Sequence, residues 1–272
     1  MSLLAMYPGL LEALSGEMTP KFLATRSADG IPNVVPCTSL MPAGDVEDRL
    51  IFGNFLLRKS VRNLEEDPHV GILVITTDLE GWVLQGDFAG WQRTGPYVDR
   101  IMSTDLLRYN AYTGIRNAGI VQVQRVLRHF RISKLRVLTD YLLARAAVRS
   151  PSLPEEATAM PLPVQRGFSP MTALRVLAFL DGKGYPRVAL LLSLQPAGAR
   201  ALAWAGGPDG ELLAELPPGT PVAACLLTLD IVSFQAKGRW LGGRRLLGVP
   251  TGRMAVTSVY AGGPPIPGRQ VA

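Results

Sequence analysis

This sequence is poor in the residues that build metal sites and disulfide frameworks. Its 272 residues include two cysteines and two histidines, and Cys37 and Cys225 stand in separate apolar stretches. No Cys-x-x-Cys pair occurs, and neither His69 nor His129 has a second metal-type ligand at a useful spacing. We therefore expect no disulfide framework, no Ser-His-Asp triad and no metal.

Long apolar runs and a secretory leader are also lacking. No stretch reaches the ~18 apolar residues that cross a membrane, and charge-free runs such as 216–229 contain prolines. The first eight residues lack the basic start of a secretory signal. Because 47% of the residues are hydrophobic, disorder is excluded for most of the chain. The expected protein is cytoplasmic, with no membrane partner.

Positive charge is concentrated in one segment. Residues 125–149 contain seven Lys and Arg residues and one acid, Asp140. The net charge of this segment therefore equals the +6 of the whole chain. Such a segment can attract phosphates. It has few aromatic residues and no nucleic-acid-binding motif, so a solvated helix face is favoured and nucleic acid is not the expected partner. A binder of nucleic acid or of an anionic surface is kept as an alternative.

The most informative motif is a strand, a turn and a short helix in residues 50–68. The apolar strand ends at Gly53-Asn54, a pair that suits a tight bend. Ser60 is expected to cap the helix. Arg58 and Lys59 then lie beside the N–H groups of its first turn, which predicts a site for a phosphate dianion. The alternative is a capped surface helix with two solvated cations.

Alternating apolar residues and turn signals predict six strands in the N-terminal part of the chain. The strands are expected at 22–26, 33–40, 50–52, 70–76, 81–91 and 120–129, with helices at 2–16, 94–117 and 133–149 besides the one after the third strand. Residues 150–170 contain five prolines and are predicted to be a linker. The domains on either side of it are expected at 1–149 and 171–272.

The same pattern returns after the linker. The matched pairs are Pro32 with Pro186, Val70 with Val222, and Gln85 with Gln235. The offset is 154 residues for the first pair and 152 for the second, and this near-constancy predicts a tandem duplication of one small β domain. In the second copy, the position of the two cations and the serine falls near Gly210-Glu211-Leu212. Only the first copy is therefore expected to keep the anion site.

Six strands, a helix after the third and a Lys-Ser at its start resemble the pyridoxamine 5′-phosphate oxidase-like family of FMN-binding split barrels. Residues 58–70 are similar to the family's signature of a basic residue and a hydroxyl, then Asn-Leu, then a proline that ends the helix. Residues 32–39 resemble the strand whose backbone lies along the flavin ring, and 81–93 resemble the fifth strand. The resemblance implies a mainly β fold with peripheral helices, built as two tandem six-stranded FMN-binding split barrels, the second degenerate.

The resemblance also implies an FMN-binding flavoprotein with oxidoreductase activity. The cofactor-binding positions that it implies are Arg58, Lys59 and Ser60 for the phosphate, Pro36, Cys37 and Thr38 for the flavin ring, Phe52, Gly53 and Asn54 along the ribityl chain, and Gln85. For Cys37, a small buried hydrophobe is favoured over a redox thiol. No catalytic residue stands out, and a flavin brings its own hydride chemistry. The Arg-Leu-x-Pro ending of members that oxidise pyridoxamine phosphate is absent.

Members of this family pair, with flavins at the subunit interface. The resemblance therefore implies an internal pseudo-dimer with a single flavin, and a homodimer of chains as a further option. It also implies a small-molecule substrate and an electron donor, neither of which the residues identify. The alternative is a non-enzymatic ligand-binding split-barrel module that holds haem, another ligand or none.

Overall fold

The computed structural model describes residues 2–105, 114–147, 153–263 and 266–272. The chain is mainly β with peripheral helices, and its strands form two antiparallel seven-stranded sheets, which confirms the predicted fold class. The contacts divide the chain into two compact units. Unit 1 comprises residues 1–29, 35–131 and 181–187, and unit 2 comprises residues 30–34, 132–180 and 188–272.

The first sheet has the order β2-β1-β5-β6-β7-β4-β3. Its strands are β1 (Lys21–Arg26), β2 (Pro32–Pro36), β3 (Met41–Pro42), β4 (Arg49–Gly53), β5 (His69–Ile75), β6 (Glu80–Gln92) and β7 (Ala118–Arg131). Each of the six predicted strands is present. The two-residue β3, which is too short to show an alternating pattern, is the seventh.

The described helices of unit 1 differ in extent from those that the sequence predicts. They are a 3-10 turn (Leu4–Met6), α1 (Leu10–Ser15), α2 (Arg58–Glu66) and α3 (Pro96–Met102). The helix expected at 2–16 is interrupted because Tyr7 is extended and Gly9 has a φ of +75°. Of the helix expected at 94–117, α3 is the observed part, and residues 106–113 lie outside the described residues.

The second sheet, read as β9-β8-β12-β13-β14-β11-β10, has the strand order of the first, position by position. Its strands are β8 (Leu174–Leu180), β9 (Pro186–Leu190), β10 (Gln195–Pro196), β11 (Ala201–Ala205), β12 (Pro221–Leu227), β13 (Ser233–Leu246) and β14 (Val249–Ala261). The helices of unit 2 are α4 (Lys134–Ala146), α5 (Leu162–Phe168) and α6 (Gly210–Ala214). None of the helices in the described part of the chain is long and apolar enough to cross a membrane.

Part of the proline-rich stretch 150–170 packs into a core. Helix α5 lies within it, and Met160, Val164 and Phe168 are buried in the apolar cluster of unit 2. Phe168 is the last residue of α5, and its side chain has no solvent-exposed surface. This segment therefore stabilises unit 2 by apolar burial in addition to connecting chain segments.

The strand registers show which positions correspond between the sheets. Val70 pairs with Gly86, and Val222 pairs with Gly238, so Gly86 and Gly238 are equivalent and lie 152 residues apart. At each glycine, an added Cβ would press against a carbonyl of the neighbouring strand, next to a shift in register. By the same register, Gln85 of the first sheet is equivalent to Lys237 of the second. The predicted match of Gln85 with Gln235 is therefore wrong by two residues, a slip that leaves the side chain on the same face.

Both sheets also bury a cation at the equivalent place in their first strand. Lys21 is 1% exposed and Arg175 has no exposed surface. Lys21 Nζ donates to the Gly16 carbonyl at 2.6 Å, and Arg175 Nη1 donates to the Phe168 and Leu194 carbonyls at 3.0 and 2.9 Å. Burial lowers the pKa of Lys21 to about 8 and that of Arg175 to about 10.

Alanine at the two equivalent glycines should destabilise the fold. We expect Gly86→Ala and Gly238→Ala each to lower the free energy of unfolding by about 1–3 kcal/mol, because the strands must move apart. Gly182→Ala is the control, since its Cβ would enter open space. Urea denaturation of the three variants measures the difference, and equal stability of all three would contradict the assigned close approach.

Candidate functional site

The predicted anion site lies at the start of α2. The helix begins at Arg58, and Leu57 occupies the N-cap position without a side-chain cap. The sequence predicted Ser60 as the cap, and this prediction is wrong. Ser60 is the third helical residue, and 1% of its surface is exposed. Leu57 is buried in the apolar core, and this packing starts the helix three residues earlier than predicted. As a result, Arg58 and Lys59 lie within the first turn instead of before it.

The first turn of α2 carries only positive side-chain charge. It contains no acidic residue, Arg58 is exposed and Lys59 is half-buried. Burial lowers the pKa of Lys59 to about 8. A partly desolvated ammonium at the positive end of a helix dipole is stabilised by an anion, and a phosphate is such an anion.

Contacts along the rest of α2 hold this first turn in place. Asn63 Nδ2 donates to Thr25 Oγ1 on β1 at 3.0 Å, and both residues are buried. The Ala28 N–H donates to the Glu66 carboxylate at 3.3 Å. These two contacts of its C-terminal half therefore hold α2 against the end of β1.

The exit of β4 is joined to the turn that follows β2. The Gly53 N–H donates to Ser39 Oγ at 3.0 Å. The Asn54 N–H donates to the Asn117 carbonyl at 3.0 Å, and the Asn54 carbonyl accepts from the Arg116 N–H at 3.2 Å. The structure thus brings two predicted groups together, the exit of β4 and the turn after Cys37.

Two predicted side chains point into the core. Cys37 and Phe52 belong to the buried apolar cluster of unit 1, where the Phe52 ring lies across Gly119 and meets Trp91 edge to face at 5.7 Å. Burial raises the pKa of the Cys37 thiol to about 12, against the weaker effects of a Ser39 hydrogen bond and the Lys21 charge. The thiol therefore stays protonated at neutral pH. Its neighbours Pro36 and Thr38 are partly exposed.

Gln85 is separate from the rest of the predicted set. It is fully buried, and its Nε2 donates to Asp181 Oδ2 at 2.9 Å and to the Pro186 carbonyl at 3.4 Å. Its Oε1 is buried without a hydrogen-bond partner among the described residues. None of these contacts involves α2 or residues 36–38.

Unit 2 has acidic groups at the place equivalent to the anion site. The turn after β11 contains Gly206 and Gly207, both with φ above +60°. The Gly207 N–H donates to Asp140 Oδ2 at 3.0 Å, and Arg136 Nε donates to Asp140 Oδ1 at 3.0 Å. An added Cβ at Gly206 would press against this carboxylate. Glu211 then stands in the first turn of α6, where Lys59 stands in α2.

Sequence reasoning missed a polar cluster at the C-terminal end of α2. Arg26 Nε donates to Asp67 Oδ2 at 2.8 Å, and His69 Nδ1 donates to Asp67 Oδ1 at 2.7 Å. Burial works to raise the pKa of Asp67, but hydrogen bonds from Arg26 and His69 outweigh it and hold that pKa below its usual value. The His69 ring meets Tyr185 edge to face at 4.0 Å. Asp-Pro-His directly after the helix was the available signal.

Other concave surfaces lie elsewhere. An open cleft of about 740 Å³ is lined by residues 16–20, Thr76, Thr77 and Asp105, none of which belongs to the predicted set. In the described part of the chain, no group of three or more His, Cys, Asp or Glu side chains is placed to hold a metal ion.

Comparisons with known proteins give likenesses of structure alone. No family model matches the chain, and no curated protein matches it. An FMN-binding protein from Syntrophomonas wolfei is 19% identical over 48% of this chain and 88% of its own, with a TM-score of 0.39. The heme storage protein HutZ from Vibrio cholerae is 17% identical over 48% and 95%, with a TM-score of 0.35. HupZ from Group A Streptococcus, as its H111A variant, is 18% identical over 46% and 98%, with a TM-score of 0.37.

The buried thiols give a prediction about reactivity. Burial raises the pKa of both Cys37 and Cys225 to about 12. We therefore expect neither cysteine to react with a thiol reagent such as Ellman's reagent at neutral pH in the folded protein, and both to react after denaturation. Rapid reaction of one thiol in the folded chain would contradict the inward position of its side chain.

Proposed function

We propose that this chain is an FMN-binding flavoprotein, an oxidoreductase related to pyridoxamine 5′-phosphate oxidase. The phosphate of the flavin would bind at the start of α2. One observation carries the proposal: the first turn of this nine-residue helix combines Arg58 with a half-buried Lys59 and contains no acidic residue. Such a set of donors suits a dianionic ester.

The residues at the phosphate end fit the cofactor better than those at the ring end. Arg58 and Lys59 supply charge, and Ser60 places a hydroxyl in the same turn, although that side chain is buried. Along the ring, the side chains of Cys37 and Phe52 fill the core, so the backbone and partly exposed side chains of neighbouring residues would have to contact the flavin. Gln85 would contact the flavin only through Oε1, which has no hydrogen-bond partner among the described residues.

A single flavin per chain follows from the charges in unit 2. Glu211 replaces the cation, and the Asp140 carboxylate already binds the preceding turn. The shared strand order, the equivalent glycines and the equivalent buried cations support a tandem duplication in which the second copy has lost the site. An internal pseudo-dimer and a cytoplasmic location are part of the same proposal.

Bound FMN would supply hydride transfer. The chain's own contribution would be to grip the phosphate, orient the ring and exclude water. No ionisable side chain of the predicted set is arranged as a proton donor, because Cys37 is buried and protonated and the others are the phosphate cations. This observation favours a non-enzymatic flavin-binding module as the second candidate. If a flavin-loaded chain fails to oxidise a reduced nicotinamide, that result selects the non-enzymatic module.

Removing the two cations should remove the flavin. We expect the purified chain to release one FMN per chain on denaturation, and Arg58→Ala/Lys59→Ala to retain less than about one tenth of it, since each charged hydrogen bond contributes ~1.5–3 kcal/mol. Arg62→Ala is the matched control on the same helix, because Arg62 is exposed and paired with Glu66 at 2.9 Å. Flavin absorbance per protein mass is the measurement. Full loading of the double variant, or two flavins per wild-type chain, would refute the assignment.

The affinity for FMN should depend on pH in a defined direction. Because the pKa of Lys59 is about 8 without ligand, the amine is charged below pH 8 and loses its proton above it. We expect the dissociation constant to rise as pH increases from 7 to 9, and to rise much less in Lys59→Arg, whose charge persists. Titration of flavin fluorescence measures this. A wild-type affinity that is flat over this range would place Lys59 outside the site.

A further inference from the structure

Helix α4 packs one face on the sheet of unit 2 and leaves another face exposed. It packs on β11, whose outward residues Ala201, Ala203 and Ala205 are small enough for a helix to approach closely. Its buried residues on that side include Asp140, which is held by the Gly207 N–H, and Ala144. One face of α4 is therefore an ordinary part of unit 2.

The other face is a row of exposed leucines. Leu135, Leu138 and Leu142 are 70%, 41% and 56% exposed, and their spacing of three and four residues places them on one side of the helix. A contiguous apolar patch on the surface of a protein commonly marks a site of interaction. Three adjacent leucines on one exposed stripe therefore indicate a surface that is covered when the protein works.

The unpaired exposed charges of α4 itself are positive. Lys134 and Arg145 are exposed near the two ends of α4, and Arg244 of β13 donates to the Ala147 carbonyl at its C-terminal end at 3.0 Å. The only acid of the helix, Asp140, is 4% exposed and bound to backbone N–H and Arg136. The exposed face of α4 thus presents leucine and cations without an exposed carboxylate.

We propose that this face of α4 adsorbs to an anionic lipid bilayer, lying flat with its leucine row in the acyl boundary and its cations at the lipid headgroups. Burial of the leucines and attraction of the cations to anionic lipid would both favour adsorption, as they do for interfacial helices. The proposal concerns attachment to a membrane surface and is independent of flavin binding.

The composition of this face favours lipid over other anionic partners. Nucleic acid would make little use of a row of leucines, because its affinity comes from phosphate contacts and stacked aromatic residues. Protein interfaces draw most of their binding energy from Trp, Tyr and Arg, with leucine under-represented. Apolar burial and diffuse attraction between charges need no directional contacts. A bilayer with anionic headgroups can supply both interactions without directional contacts.

Vesicle sedimentation of the full-length chain tests the proposal. At low salt we expect the protein to pellet with vesicles that contain phosphatidylglycerol, to remain soluble with pure phosphatidylcholine, and to be released by added salt. Leu135→Ser/Leu138→Ser/Leu142→Ser should abolish pelleting. Lys134→Gln/Arg145→Gln should lower the partition coefficient roughly thirtyfold, from the ~1 kcal/mol that each cation contributes near an anionic surface.

The matched control is Leu229→Ser/Ile231→Ser, two residues that are 82% and 75% exposed on the β12–β13 hairpin beside an acid, Asp230. It should pellet as the wild type does.

Wild-type protein that stays soluble with phosphatidylglycerol vesicles, or a triple serine variant that still pellets, overturns the proposal. So does a wild-type dimer that the triple variant converts to a monomer without lipid, since the row would then be an interface between copies. Binding of a DNA duplex that survives the triple change, without vesicle binding, also overturns it.

Discussion

The backbone N–H groups at the end of the fourth strand of each sheet must find partners, and in both sheets the partners are a serine hydroxyl and a backbone carbonyl. In unit 1, Gly53 and Asn54 bond to Ser39 and to the Asn117 carbonyl, so that neutral groups satisfy the exit. The helix that follows is then left with cations alone in its first turn. In unit 2, the Ala205 N–H donates to Ser193 Oγ and the Gly206 N–H to the Pro250 carbonyl, as at the exit of β4. The next N–H, that of Gly207, donates to the Asp140 carboxylate. The two exits are therefore alike, and the units differ in the charges that follow: cations in the first turn of α2, and the carboxylates of Asp140 and Glu211 in unit 2.

The features that recur between the sheets include ones that are costly in free energy. Burying an ammonium or a guanidinium against carbonyls is unfavourable unless the geometry is good, yet Lys21 and Arg175 do so at equivalent places. A glycine within a strand is likewise unfavourable, yet Gly86 and Gly238 recur. Apolar alternation recurs in any β protein, whereas a shared costly feature has no such general cause. These positions therefore support a duplication more strongly than the apolar pattern does.

The errors of the sequence-based predictions have a common origin. Ser60 has the chemistry of an N-cap, but the packing of Leu57 in the core sets where α2 begins. Gln235 is the nearest sequence match to Gln85, but the ladder with β12 shows that Lys237 is its equivalent. In both cases a local signal was read correctly, and a contact with residues distant in the chain changed its position, by three residues for the cap and by two for the glutamine match.

By itself, the sequence determined the mainly β class, the six longer strands of the first sheet and the cations that lie at the start of α2. These follow from alternation, turn residues and charges within a few positions of one another. Tertiary structure alone decided that Cys37 and Phe52 face the core, that Gln85 is engaged by Asp181, and that one face of α4 is covered by β11 while its leucine row is not. The direction of a side chain depends on strand register and on which distant segment covers it, and neither is encoded in a local pattern.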